Sequence, residues 1–336
     1  MSGQVTEAAP RRITEGGSEP TWIARFVRRQ EFTLIIVVLV IGICSAALNS
    51  IFISVDNLIE LARATVIYFI MACGATLITI GGGLDFSVGS VFTLGGIAVA
   101  WAMSVGIPWP LAIIFGLIVG SIVGLANALI IEKLGVPPII TTLGTFYIIS
   151  GFIVVFSGGD DIVINSSTFE LLGQGAIFGI PFVILYAVVI GVIFWILLEK
   201  TRLGYNTRAI GGNRAAAIAN GISVISINRW LYVIGALMAA LGGIIYTART
   251  GSGQVSAGGA SVTLEVTSAV LIGGTSLFGG LGTITGTAIG AVLFAEIDNG
   301  LALSNIPPLY LNIIIGSILI LAVAADHLRR KRLYRK

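Results

Sequence analysis

Long apolar runs, separated by short polar or glycine-rich stretches, recur from about residue 32 to about residue 325. Runs of this kind read as transmembrane helices, because crossing the hydrocarbon core of a bilayer takes about 20 apolar residues. The pattern predicts ten spans, at 32–54, 59–80, 88–106, 109–131, 139–157, 177–198, 230–248, 266–279, 283–302 and 308–325. The eighth is short for a full crossing and reads as a half-helix. The expected fold is all-α: a polytopic transmembrane bundle over 31–327, with polar tails at 1–30 and 328–336. The first tail holds Pro10, Gly16 and Gly17 and lacks periodicity, so it predicts a flexible segment with a short interfacial helix around Trp22 to Arg29. The first apolar run is too long for the core of a cleavable signal peptide, so the spans themselves are expected to target the chain.

Composition agrees with the pattern. Of 336 residues 56% are hydrophobic and only 10% charged, and the mean hydropathy is +1.01. A soluble domain carries roughly 25% charged residues. Soluble enzymes, nucleic-acid binders and extracellular modules are therefore excluded. A pI of about 9.0 reflects cations flanking apolar spans, where they set orientation. With the N-terminus inside, Arg11, Arg12, Arg25, Arg28, Arg29, Lys133, Lys200, Arg202, Arg208, Arg214, Arg229 and the tail from Arg329 to Lys336 all face the cytoplasm. Arg249 is then outside and Arg63 near an outer end. Both termini are expected on the cytoplasmic side of the membrane.

An internal repeat organises the chain. Gly116, Gly120 and Gly124 are followed by Pro137-Pro138, and Gly282, Gly286 and Gly290 by Pro307-Pro308; the offsets are 290 − 124 = 166 and 307 − 137 = 170. Small residues every four positions let helix backbones pack closely. At the second offset, the run from Gly81 to Gly89 falls on Gly251 to Gly259, a second glycine-rich interruption directly after a span. The two Pro-Pro pairs fall on opposite sides of the predicted topology, so the halves are expected to be inverted. Inverted repeats with interrupted spans are an architecture of transporters.

Candidate chemistry is sparse. Asp85 sits in the first interruption, Glu265 follows the second, and Glu296 and Asp298 lie late in the ninth span. Asp85 either faces a polar pathway or caps the third span; Glu296 and Asp298 are expected close to the outer interface. Ser87, Asn127, Thr141, Thr142, Thr145, Tyr147 and Asn299 place neutral polar groups where they either line a path or join helices. Cys44 and Cys73 lie in apolar runs without metal-ligand spacing, and His327, the only histidine, lies in a basic tail. No phosphate-binding loop and no nucleophile, base and orienter set occurs, so neither a cofactor nor a metal is expected, and ATP would have to be split elsewhere. The stretch Asn213-Arg214-Ala215-Ala216-Ala217-Ile218-Ala219-Asn220-Gly221 predicts a short cytoplasmic helix with small side chains, ended by glycine and suited to docking another protein.

Gly82-Gly83-Leu84-Asp85-Phe86-Ser87-Val88-Gly89-Ser90, the Asn213 to Gly221 loop, and Val270-Leu271-Ile272-Gly273-Gly274-Thr275-Ser276 followed by Gly279-Gly280-Leu281-Gly282-Thr283 resemble the ribose, xylose and arabinose type of ABC-importer permeases over roughly 32–332. The resemblance implies a bacterial inner-membrane subunit that pairs with a second permease, either an identical copy or a close paralogue. It implies delivery of a sugar by an extracytoplasmic binding protein and drive from a cytoplasmic ATPase with two fused nucleotide-binding halves. Ala216, Ala217 and Gly221 match the family's docking loop, while Ala215 stands where importers carry a glutamate, which puts that ion pair with the ATPase in doubt. The competing readings are an ion-coupled secondary transporter using Asp85, Glu265 or Glu296, and a membrane-embedded enzyme.

Overall fold

In the computed structural model, which describes residues 30–307 and 309–333, helices account for nearly all regular structure. The N-terminal tail with its interfacial helix, and the last residues of the basic tail, lie outside the described residues. The helices are α1 (Gln30–Leu48), α2 (Val55–Ile80), α3 (Val88–Ser104), α4 (Trp109–Lys133), α5 (Pro138–Ser157), α6 (Ser167–Gln174), α7 (Phe182–Lys200), α8 (Arg202–Gly212), α9 (Arg214–Ala219), α10 (Val224–Thr250), α11 (Ala260–Ile272), α12 (Ile284–Leu303) and α13 (Leu309–Leu333). Seven of these, namely α1, α2, α4, α5, α7, α10 and α12, are long and apolar enough to cross a membrane. Two two-residue ribbons complete the fold. Strand β1 (Ile162–Val163) pairs antiparallel with β4 (Ser252–Gly253), and β2 (Ala176–Ile177) with β3 (Ile180–Pro181).

The most apolar stretches of α2 and α10 are 67% and 72% buried, against 11% for α1 and 17% for α7. The centre is therefore α2 and α10, with α3 buried along almost its whole length between them and α4. Exposed Ile122, Ile148, Val155, Val189 and Ile193 line the outer faces of α4, α5 and α7. A surface of this kind suits lipid, because it offers no polar side chain to water.

Several helices depart from the hydropathy expectation; α10 starts at Val224 and not at 230, and α7 at Phe182 and not at 177. The eighth element is α11, Ala260–Ile272, which starts six residues earlier than expected and ends seven earlier, the end being set by Gly273 and by Gly274 at φ +92°. At 13 residues it is about 20 Å long, too short to cross, as a half-helix should be. The first predicted span, which ran to residue 54, divides into α1 and a 3-10 turn at Ser50–Ile53, whose Asn49 side chain accepts from the Ile51 amide.

The element order repeats. Helix α2 ends on Ile80 before Gly81, and α10 ends on Thr250 before Gly251, a separation of 250 − 80 = 170 residues. Helices α2 to α5 thus correspond in order to α10 to α13. The two leading helices run antiparallel: Met71 meets Gly242, Gly74 meets Gly235, and Gly81 meets Leu231. In each half the predicted glycine row is a packing surface. Gly116 abuts Val99, Gly120 abuts Ala240, and Gly124 abuts Tyr232 and Ala236; Gly286 abuts Gly273, and Gly290 abuts Ala269. Gly282 lies just ahead of α12, against Ile80 and Thr275, and not within the helical row.

Candidate functional site: the junction of two interrupted helices

After α2 the chain does not simply turn over into α3. Gly82 takes φ +82°, and residues 84–87 run back into the bundle before α3 starts. Val91 and Ala240 both meet Gly120, and Gly243 contacts Phe92, so the first turns of α3 lie level with the middle of α10. From the opposite end, residues 253–258 descend beside α3: Gly253 touches Ala100, and Gly258 touches Gly89 and Thr93. Helix α11 begins where this segment ends. The two helix starts therefore meet inside the bundle, where the Gly89 amide donates to Thr263 Oγ1 at 3.0 Å. The two glycine interruptions that the repeat aligned in sequence touch each other in space.

A polar network surrounds this junction. Asp85 Oδ1 accepts from the Ser87 amide at 2.8 Å and from Ser87 Oγ at 2.5 Å. The Asn127 side-chain amide donates to Ser87 Oγ at 3.0 Å, and Thr145 Oγ1 donates to Asn127 Oδ1 at 2.6 Å. The Phe86 amide donates to Thr142 Oγ1 at 3.0 Å, and the Tyr232 hydroxyl donates to the Leu84 carbonyl at 3.2 Å. Linker, α4, α5 and α10 are thereby joined around one buried carboxylate. Asp85 does not cap α3: its acceptor serves the residue two positions on and so folds the linker, an Asx-type turn. Buried Asp85 Oδ2 and Thr141 Oγ1 have no hydrogen-bond partner among the described residues.

Cavities open on both sides of the junction. Toward the end bearing α6, about 260 Å³ is bounded by Tyr68, Tyr246, Arg249, Asp298 and Asn299, with Phe92, Ala257 and Val262 of the junction beneath. Toward the end bearing α8 and α9, about 410 Å³ is lined by Gly81 to Gly83, Glu132, Pro137, Pro138, Arg214 and Tyr232. Beside the latter, Arg229 pairs with Glu132 at 2.7 Å.

A family profile described as branched-chain amino acid transport system, permease component, matches residues 57–323. The chain belongs to this permease family. Among curated proteins, the ribose import permease protein RbsC of Bacillus subtilis is 37% identical over 295 residues, covering 87% of this chain and 90% of that protein. The D-allose transport system permease protein AlsC of Escherichia coli is 31% identical over 300 residues, 89% of this chain and 92% of that one. The galactose/methyl galactoside import permease protein MglC of Haemophilus influenzae is 32% identical over 320 residues, 90% and 95% of the two. No solved structure matches the chain significantly. The matches lend nothing to the ion-coupled reading.

Of the polar residues singled out in sequence, this permease gathers Asp85, Ser87, Asn127, Thr142 and Thr145 into one network, with Thr141 one turn away. Tyr147, counted with the same hydroxyl strip, is 72% exposed and points away from it. Glu265 is buried elsewhere on α11, facing Tyr68. Asn299 exchanges two amide hydrogen bonds with Asn57, at 2.9 and 2.8 Å, and borders the first cavity. Glu296, expected near the interface, is buried beside Gly42 of α1. In the short helix α9, the Asn213 side chain accepts from the Ala216 amide at 3.0 Å, and Gly221 takes φ +78°. Arg214 and Ala216 are exposed there, but Ala217 is buried with Ile210 and Val224 and anchors the helix.

Sequence reasoning missed two groups. Glu60 bridges Arg63 and Arg249 across a gap of 189 positions, which no local pattern signals. Gly211, Gly279 and Gly280 form a glycine contact with Gly82, and the Gly280 amide donates to the Ile80 carbonyl at 2.8 Å. The recurrence of Gly-Gly pairs at 82–83, 211–212 and 279–280 was the available signal.

Proposed function

We propose that the chain is the membrane permease of a bacterial ABC importer that passes a monosaccharide, a pentose such as ribose in the first instance, into the cytoplasm. The observation that carries this is the near full-length similarity to proteins named for ribose, allose and galactose import. On this reading the subunit sits in the inner membrane with both termini and α8 to α9 cytoplasmic, and the end bearing α6 faces an extracytoplasmic binding protein. Two permease subunits, identical copies or close paralogues, enclose the passage, and the junction with its Asp85, Ser87, Asn127, Thr141 and Thr145 side chains flanks it. Glu265 and Asn299 serve the outer part of the same route.

The chain has no nucleotide-binding signature, so ATP hydrolysis must act through a contact that differs between states of a partner ATPase. Helix α9 supports that role: it is short, exposed on Arg214 and Ala216, and Arg214 lines the same cavity as Gly81 to Gly83. A push on α9 would therefore reach the linker that carries Asp85. The test is uptake of labelled D-ribose, D-allose, D-galactose and L-leucine by proteoliposomes holding the permease, its ATPase and its binding protein. ATP-dependent uptake of a sugar is expected. Uptake of leucine alone, or uptake driven by a proton gradient without ATP, would reject the reading.

A further inference from the structure

The cavity on the α6 side of the junction has a chemistry of its own. Its walls come from three helices, Glu60 and Tyr68 from α2, Tyr246 and Arg249 from α10, and Asp298 and Asn299 from α12, while Phe92 of α3 and Val262 of α11 lie beneath. Arg249 and Glu60 are ion-paired, so the strongest charges on two walls offset each other. Asp298 is exposed, Asn299, whose amide is paired with Asn57, borders the cavity from the same turn, and the Tyr246 hydroxyl donates to Gln254 Oε1 at 2.9 Å. Between these groups lie the Phe92 and Tyr246 rings, 5.5 Å apart and tilted at 55°. Donors and acceptors thus converge from several walls over an aromatic floor.

That combination matches a neutral polyhydroxylated ring. Its hydroxyls both donate and accept, so they can use carboxylate, amide and guanidinium together, while its C–H face lies against an aromatic ring. A volume of about 260 Å³ falls below the ~300 Å³ at which pockets for larger ligands begin, which suits one sugar ring and not two. The floor is the junction itself, so an occupant would rest directly on the closed starts of α3 and α11.

We infer that this cavity is a monosaccharide-binding site, holding the sugar after its release from the binding protein and before it enters the passage that the junction flanks, with Asp298 as its principal hydroxyl acceptor. The inference rests on the sugar-importer reading and on the α6 end being external. It requires selectivity in the permease itself, beyond that of the binding protein.

The experiment uses the whole complex in proteoliposomes, with D-ribose, D-allose and D-galactose as probes and two variants, Asp298→Ala and Ala302→Trp. Loss of a hydrogen bond to a charged group corresponds to about tenfold in affinity or more. Asp298→Ala should raise the sugar concentration for half-maximal uptake by that factor, and Ala302→Trp, at an exposed position on the cavity wall, should stop uptake. In both, co-purification of the ATPase should match the parent, because α9 is untouched. A cysteine introduced as Asp298→Cys should react with a maleimide more slowly when one of the sugars is present in excess. Unchanged uptake in both variants, or no protection by any of the sugars, overturns the inference while leaving the importer reading intact. Failure of the unmodified complex to transport any of the three sugars overturns that reading and the inference with it.

Discussion

Asn127 donates to Ser87 and accepts from Thr145, so one side chain of α4 holds the linker before α3 and the wall of α5 together. Interhelical hydrogen bonds in membranes contribute only about 0.6 kcal/mol each on average. Two of them are too little to decide whether the bundle folds, but they do fix where the Asp85 linker sits. We therefore expect Asn127→Leu to cost about 1 kcal/mol of stability while reducing sugar uptake at least tenfold. Thermal unfolding in detergent beside uptake in proteoliposomes separates the two; a variant that unfolds readily yet transports normally would contradict the positioning role. Glycines at the junction should behave in the opposite way. A Cβ at Gly89 would lie 2.6 Å from Thr263 Oγ1 and closer still to the Gly259 carbonyl oxygen, whereas one at Gly144 on α5 would meet nothing within 4 Å. Gly89→Ala should lower the yield of folded protein markedly and Gly144→Ala should not, as read by monodispersity of the solubilised protein.

At the scale of elements, α9 makes the sharpest statement. Its capped start, exposed Ala216 and terminal Gly221 at φ +78° define a small knob. A β-branched residue is strained at such a φ, and a tryptophan at Ala216 would fill any groove that receives the helix. Ala216→Trp and Gly221→Val are expected to leave the protein inserted but to reduce co-purification of the ATPase and abolish ATP-driven uptake. Normal uptake in both would put the coupling surface elsewhere. Helix α9 was legible because capping and termination are local, and the repeat was legible because glycine and proline spacing survives in one dimension. The end of α11 was not. Hydropathy extended that span through Leu277 and Phe278, yet Phe278 lies in a loop and is 45% exposed, in a segment turned by Gly274, Gly279 and Gly280 at positive φ. An apolar average cannot register such turns. The meeting of Gly89 with Gly258 and Thr263 also lay beyond reach, because only antiparallel packing of the halves brings those positions together.

For the whole molecule, orientation decides which cavity is the entrance. Glu60, Arg63, Arg249 and Gln174 are linked at one end of the bundle, with Arg63 donating to the Gln174 carbonyl at 2.9 Å and Gln174 to the Arg249 carbonyl at 2.8 Å. At the other end stand Lys133, Lys200, Arg202, Arg208, Arg214 and Arg229, of which Arg208 pairs with Glu199 and Arg229 with Glu132. Cations outnumber acids there, and basic residues near the ends of spans are retained on the cytoplasmic side. The end bearing α6 should then be external, where its ribbon β1–β4 ties the loop after α5 to the start of the descending segment. Single cysteines at Asn165 and Asn220, both exposed, report on the two ends, with Cys44 and Cys73 replaced by alanine to remove background. In intact cells an impermeant maleimide should label Asn165→Cys and spare Asn220→Cys, with both labelled after the membrane is breached. The reverse pattern would turn the molecule over, making the cavity beneath α9 the entrance and moving the proposed sugar site to the exit.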